Sequence, residues 1–356
     1  MGWTPTDRLG KTNQVVGSGI RQVWFLTRGI ARAGGLAVGA RVGRFRGWPP
    51  RDVLIDEPLA LAEERTNRLR GIYHKCAQNL WDGPTVFREA VARHGGIQLP
   101  REQRLALAHI ISTLMWGELA AWIVSAELAE RLEDPDARMA ASSQVFDEAR
   151  HFYTLRDYLA LLHVPTPPLD PYFAAAVRAL LEDRDLTLKL LAMQILAEGS
   201  AQSIFAFLCD ARVEPVLSDI LPFIERDEAR HVGLGILHLP DRLARLSPRE
   251  CSRIADRICG IGDLLGISQV RAIEHYRTLG LDPRELFRKA DGLLTSLARK
   301  LGNVPGTRQP YLRTDDPAHP DYEKKLDFVF PREGTEPVPM AKLLTRVVEF
   351  GARALA

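Results

Sequence analysis

Two glutamates stand alone in long apolar stretches of the chain. Glu118 is the only carboxylate in 105–126, and Glu198 is the only charged residue in 190–209. At helical spacing both acids have apolar neighbours on their own face. A buried carboxylate is costly unless it is protonated, ion-paired or bound to a cation. For either acid taken alone, a buried ion pair or a protonated carboxyl is the better explanation.

A short motif follows each acid. The letters Asp-Glu-Ala-Arg-His occupy 147–151 and recur at 227–231, and the same offset separates the two lone acids. Glu and His three positions apart share a helix face and can hold one metal ion together. Two copies supply four carboxylates and two imidazoles, the ligand set of di-iron and di-manganese bundles, and such ligands suit iron or manganese better than structural zinc. The predicted ligands are Glu118, Glu148, His151, Glu198, Glu228 and His231.

The other letters of the motif predict a supporting network. Metal-bound histidines usually donate their second N–H to a carboxylate. In an antiparallel pair of helices, the aspartate of each copy would reach the histidine of the other, and the arginines would neutralise the aspartates. The alternative makes these residues ordinary surface charges at the edge of the bundle. They are Asp147, Arg150, Asp227 and Arg230.

Composition and periodicity predict an all-α protein. The 356 residues are 46% hydrophobic and 26% charged with a net charge of +2, which excludes wholesale disorder and offers no argument for nucleic acid. Alternating strand patterns are nearly absent. The four cysteines form no Cys-x-x-Cys pair, which argues against a zinc ribbon and fits a cytoplasmic, reducing location. The predicted helices are 57–80, 84–94, 101–133, 135–163, 171–210, 214–239, 247–279 and 283–300.

Three regions are predicted along the chain. Residues 1–51 form a basic N-terminal arm, since 8–51 contains nine basic residues and no acidic one. We expect the arm to pack on the body or to fray. The alternative is a basic interfacial helix in peripheral contact with an anionic membrane or with a negatively charged partner. The other regions are a helical domain at 52–300, with its core bundle at about 101–240, and an extended tail with a terminal helix at 301–356.

Over about 100–240 the chain resembles the ferritin-like carboxylate di-iron superfamily. Its doubled Asp-Glu-x-Arg-His form is most similar to soluble multicomponent monooxygenase hydroxylases and acyl-carrier-protein desaturases. The resemblance implies a ferritin-like four-helix bundle with a dinuclear metal centre and extra N- and C-terminal helices. It implies that Glu148 and Glu228 bridge the metal ions, with Glu118 and Glu198 as mobile terminal ligands. Two iron ions with O2 as co-substrate are implied, although a Mn/Fe or Mn/Mn pair fits the same ligands.

The sequence departs from the family pattern at three positions. Gln202 stands where the hydroxylases usually carry threonine. Leu155 occupies the place of the radical tyrosine in ribonucleotide reductase small subunits, and Ile224 the place of an extra histidine in the N-oxygenases. A tyrosyl radical and a third histidine ligand are therefore not expected.

The resemblance implies an O2-dependent oxidoreductase of the hydroxylase, desaturase or N-oxygenase type. The sequence has no flavin, nicotinamide or iron–sulfur motif, so electrons would come from a separate ferredoxin or reductase. We expect a homodimer acting on a small apolar substrate, free or carrier-bound. A ferritin-like iron-handling protein and a non-catalytic metal-stabilised scaffold are the alternatives. The predicted pocket residues, with core packing as the alternative role, are Met115, Trp122, Phe152, Leu155, Gln202 and Phe205.

Overall fold

The computed structural model of the chain describes residues 64–301 and 316–330, and every regular element within these ranges is a helix. The all-α prediction is confirmed for this part of the chain. The basic arm at 1–51 and the terminal helix predicted near 340–354 lie outside the described residues. With 186–211 taken as one element, the helices are α1 (Glu64–Gln78), α2 (Gly83–His94), α3 (Arg101–Arg131), α4 (Pro135–Leu161), α5 (Pro171–Glu182), α6 (Leu186–Ala211), α7 (Pro215–Ala244), α8 (Pro248–Arg271), α9 (Ile273–Thr278), α10 (Pro283–Leu301) and α11 (Tyr322–Val329).

Proline and acidic caps set where the ligand-bearing helices begin. The Asp134 side chain accepts hydrogen bonds from the first amides of α4, and the Glu214 side chain accepts one at the start of α7. Each helix has a proline in its first turn, where the missing N–H is not needed. The start of α4 therefore lies where the sequence predicts it, and α7 begins one residue later than predicted.

Two predicted helices are each divided in the structure, and these predictions of extent were wrong. The 171–210 helix is broken because Asp183 accepts from the amide of Asp185, and Asp185 in turn caps α6. Such local side-chain bonds offer the backbone an alternative to the helix. The 247–279 helix is divided at Ala272, between α8 and α9.

The tail predicted to be extended contains a helix, α11, which packs on α10. Arg284 of α10 donates to Asp327 at 2.7 Å and to Glu323 at 3.1 Å, and the Tyr322 hydroxyl donates to Asp291 at 2.9 Å. The acidic residues that gave this segment a loop-like composition are thus partners of basic residues on the body of the protein.

The four long helices α3, α4, α6 and α7 form the bundle, in which α3 packs along α4 and α6 along α7. Helix α1 lies against α4 and α7. Each bundle helix contributes to two apolar clusters, one on either side of its predicted ligand. On α3, for example, Ile111 belongs to one cluster, Val124 to the other, and Glu118 lies between them. The predicted ligands therefore lie between two apolar layers.

Helices α3 and α6 are also long and apolar enough to cross a membrane by length and composition. In the most apolar 18-residue segment of each helix, 61% (α3) and 56% (α6) is buried inside the protein. Both are central helices of the bundle, and core packing accounts for their hydropathy.

Helix α6 adopts π-helical hydrogen bonding over Leu191–Ala197, immediately before Glu198. Gly235 of α7 faces this segment. A Cβ atom at Gly235 would lie 2.6 Å from the Cβ of Gln194 and 3.0 Å from the Cδ1 of Ile195. Only glycine allows the two helices to approach this closely. The π-helical segment therefore depends on a glycine of the neighbouring helix.

We expect Gly235→Ala to lower the free energy of unfolding by about 1–3 kcal/mol, because the clashing Cβ of Gln194 cannot rotate away. Urea denaturation of the metal-free protein measures the change. The matched control is Gly266→Ala on α8, where an added Cβ meets nothing within 4 Å. That variant should be neutral or stabilising by up to about 1 kcal/mol. Equal stability of the two variants would show that α6 accommodates a Cβ at position 235 without strain.

Candidate metal centre

The six predicted ligands converge in the middle of the bundle, and all of them are buried. They form two overlapping groups, within each of which the ligand atoms lie within 4.8 Å of one another. Glu148 and Glu228 belong to both groups, so the carboxylates of these two residues lie where the groups overlap. The first group is Glu118, Glu148, His151 and Glu228, and the second group is Glu148, Glu198, Glu228 and His231.

Both histidines direct Nδ1 toward the carboxylates. Nδ1 of His151 lies 3.0 Å from Glu228 and 3.4 Å from Glu118. Nδ1 of His231 lies 3.0 Å from both Glu148 and Glu228. The two rings are 5.9 Å apart. Each histidine thus offers one nitrogen to its own group and keeps Nε2 for a different partner.

The Nε2 atoms meet the aspartates of the opposite copy. Oδ2 of Asp227 is 3.2 Å from Nε2 of His151, and Oδ2 of Asp147 is 3.3 Å from Nε2 of His231. This is the crossing that the sequence repeat predicts. With a cation bound, these contacts would keep the proton on Nε2 and leave the Nδ1 lone pair for the cation.

The two arginines of the motif bridge the same aspartates, since Arg150 and Arg230 each donate to both carboxylates. Two further partners were not identified from the sequence. The Trp81 indole donates to Asp227 at 2.7 Å, and the Cys76 thiol donates to Asp147 at 3.4 Å. Trp81 lies 146 residues before its partner, and no spacing rule could connect them.

Three buried atoms at the centre of the cluster have no hydrogen-bond partner among the described residues: Oε2 of Glu148, Nδ1 of His151 and Oε1 of Glu228. The histidine nitrogen is only 3.7 Å and 3.0 Å from these two oxygens. Unpaired buried atoms are costly, and cations between them would satisfy all three. The positive charges of the two arginines neutralise the negative charges of the two aspartates. Two divalent cations would then neutralise the four negative charges of the glutamates. The residues fit a pair of divalent metal ions.

Without cations the cluster must hold protons. Burial, together with the charges of Glu228 and Glu148, raises the pKa of Glu118 and of Glu198 well above the ordinary 4.5. Burial would raise the pKa of Glu148 too, but positively charged His231 outweighs it and holds that pKa at about 2. Burial lowers the pKa values of both histidines, but the surrounding carboxylates outweigh it and raise them.

We expect metal binding to release protons and to tighten as the pH rises. Glu118, Glu198 and the two histidines hold their protons to higher pH than usual, because their pKa values are raised, and each must lose a proton to bind a cation. Calorimetric titration with Co²⁺ in buffers of different ionisation enthalpy counts the released protons. A binding enthalpy that is the same in all buffers, with an affinity independent of pH, would contradict the expectation.

The predicted pocket residues occupy two kinds of environment. Met115, Leu155 and Phe205 are buried in an apolar cluster beside the centre. The other three reach the surface in part, and the residue Trp122 is 36% exposed. That these six residues line a substrate pocket stays a prediction. The partly exposed members are Trp122, Phe152 and Gln202.

Two glutamines beside the centre were also missed. Gln144 and Gln194 are almost fully buried, and each stands four residues before a predicted ligand, Glu148 and Glu198 respectively. A spacing of four places two side chains on the same helix face, so this signal was present in the sequence.

No protein-family model matches the sequence, and no curated protein matches it. Several solved structures match its fold. An R2-like ligand-binding oxidase with an aerobically reconstituted Mn/Fe cofactor aligns with a TM-score of 0.51 at 17% identity, over 70% of this chain and 98% of that one. An R2-like ligand-binding oxidase after photoconversion aligns with a TM-score of 0.49 at 16% identity, over 65% of this chain and 92% of that one. The first match establishes the fold, which is ferritin-like as predicted.

Proposed function

We propose that this protein is an O2-dependent oxidoreductase that works with a pair of iron ions, or with a Mn/Fe pair. The observation that carries the proposal is the buried cluster of four glutamates and two histidines, in which two groups share Glu148 and Glu228. The Mn/Fe option is supported by the Mn/Fe cofactor of the R2-like oxidase whose fold this chain shares.

One ion would be held by Glu118 and His151 and the other by Glu198 and His231, with two glutamates common to both. When bound, such a metal pair supplies the redox chemistry by which O2 oxidises an organic substrate. The chain's own residues hold the imidazoles in place through the aspartates and, with the apolar layers on either side, exclude water.

The apolar surroundings of the cluster support a small, mainly apolar substrate, free or attached to a carrier. A separate ferredoxin or reductase would deliver electrons, since the sequence has no motif for a second redox cofactor. We expect the protein to act in the cytoplasm as a homodimer, with the basic N-terminal arm as its point of contact with any membrane. Binding to nucleic acid is not part of the proposal.

The test combines metal analysis with rapid mixing. The purified protein is analysed for metals by mass spectrometry, reduced without oxygen, and mixed with O2 in a stopped-flow spectrometer. Two redox-active metal ions per chain and a transient absorption band support the proposal. Accumulation of many irons per chain favours an iron-handling protein, and bound metal that never reacts with O2 favours a scaffold.

Matched variants keep this test specific to the cluster. The double variant Glu118→Ala with Glu198→Ala removes one carboxylate from each group and should abolish the reaction with O2. Glu89→Gln removes an exposed carboxylate on α2 and should leave it unchanged. Absence of stoichiometric metal in the unmodified, folded protein would overturn the proposal.

A further inference from the structure

The two copies of the repeat differ in what lies one helical turn before a predicted ligand. Gln144 and Gln194 occupy such positions, and their counterparts in the opposite copy are Ile224 and Leu114. Both glutamines are almost completely buried, at 1% and 0% exposure. The polar pair therefore has no equivalent among these counterparts.

The glutamines form a chain of hydrogen bonds that ends on the second group. Nε2 of Gln194 donates to Oε1 of Gln144 at 2.8 Å. Nε2 of Gln144 donates to Glu198 at 2.6 Å and to Glu148 at 3.0 Å. Because the Gln144 oxygen accepts from Gln194, its amide nitrogen must face the two carboxylates. Gln194 thus fixes the direction of the Gln144 amide.

Packing alone does not account for the pair. Oε1 of Gln194 is buried and has no hydrogen-bond partner among the described residues, which is a cost that an apolar side chain would avoid. The counterparts Ile224 and Leu114 are apolar and buried, so leucine-sized side chains fit the equivalent places. The Gln144 amide therefore has a role beyond packing, through the two carboxylates that it contacts.

The chain of amides restrains only one of the two terminal glutamates. Glu198 is held through Oε1, which leaves Oε2 facing Nδ1 of His231 at 3.7 Å. Glu118 in the first group has apolar residues at the equivalent positions. The π-helical segment that carries Gln194 lies against Gly235. The packing of α6 on α7 therefore sets the position of the Gln194 amide.

We propose that Gln144 is a positioning residue for the second group, that Gln194 orients it, and that the two metal sites are inequivalent for this reason. The inference rests on the proposed function, since it requires that the cluster binds two metal ions. Its consequence is that one ion is bound at a preorganised carboxylate and the other at a freer one.

The test is a titration of the full-length, metal-free protein with Co²⁺ without oxygen, followed by visible absorption and by metal analysis after dialysis. In Gln144→Leu, one equivalent should bind about 10- to 100-fold more weakly, because Glu198 loses its amide partner. The other equivalent, which Gln144 reaches only through the shared Glu148, should be weakened clearly less. Ile224→Leu, the equivalent position beside the first group, should leave both equivalents unchanged. Gln144→Met keeps the side-chain length without the amide and is the second variant if leucine prevents folding.

A double-mutant cycle tests the role of Gln194. Since Gln194 acts through Gln144, the double variant Gln144→Leu with Gln194→Leu should bind the affected ion no more weakly than Gln144→Leu alone. Fully additive losses would overturn this order of action. Equal weakening of both equivalents would indicate a general structural effect and would also overturn the inference.

Failure of the inference is distinguishable from failure of the proposed function. If the unmodified protein binds two ions and the variants bind both with unchanged affinity, the inference is wrong and the proposed function stands. If the unmodified protein binds no stoichiometric Co²⁺, iron or manganese, both are wrong.

Discussion

A Glu228→Ala variant is expected to bind neither metal ion at stoichiometric level, with affinity for both reduced by more than about 100-fold. Glu228 belongs to both groups: Oε1 lies 3.0 Å from Nδ1 of His151, and Oε2 lies 3.0 Å from Nδ1 of His231. Its removal takes one ligand from each site and one negative charge from the cluster. Metal analysis after dialysis, compared with the unmodified protein, measures the loss.

The matched control is Glu118→Ala, because Glu118 belongs to the first group alone. That variant should lose one ion and retain the other. Circular dichroism of the metal-free variants shows whether the helices are intact. If Glu228→Ala retained one tightly bound ion, Glu228 would not be shared between the two sites, and the proposed division of the ligands would be wrong.

The second large effect concerns stability. We expect Arg150→Met to lower the free energy of unfolding by about 3–5 kcal/mol, since removing one partner of a buried ion pair leaves an uncompensated charge. Arg150 is 2% exposed and pairs with Asp147 and Asp227, which are completely buried. In the variant, Arg230 alone would remain to balance both aspartates. Urea denaturation of the metal-free protein measures the difference.

A surface pair provides the comparison. Arg156 pairs with Asp157, and their side chains are 60% and 43% exposed. Arg156→Met should change the free energy of unfolding by less than about 1 kcal/mol, because solvent screens exposed ion pairs. If the two variants were equally stable, the buried network would have no special role in holding the bundle together.

The sequence alone was sufficient to identify the cluster. The i, i+3 spacing of Glu148 and His151, repeated at Glu228 and His231, is a property of a single helix and does not depend on how helices pack. The same is true of the lone acids in apolar helices and of the prolines at helix starts. For this reason the all-α fold and the six converging residues could be predicted from local patterns.

Contacts between distant segments could not be predicted in this way. Trp81 reaches Asp227 across 146 residues, and only the packing of α1, α2, α4 and α7 places them together. The helix at 322–329 forms ion pairs with α10, 39 and 43 residues earlier in the chain. The break at 183–185 is local, but it arises from aspartate side chains bonding the backbone and not from the apolar pattern. None of these produces a helical period in the sequence.

The sequence therefore determined the helical class, the repeat and the residue types at the centre. The tertiary structure decided which histidine nitrogen faces the carboxylates and which glutamates lie between the two groups. It also decided that the buried Gln144 amide, oriented by Gln194, hydrogen-bonds Glu198, whereas the counterpart of Gln144 in the other copy is the apolar Ile224. The physical reason is that helical spacing orients side chains within one helix. The distances between helices are set by side chains that interlock across the core, such as Gly235 against Gln194.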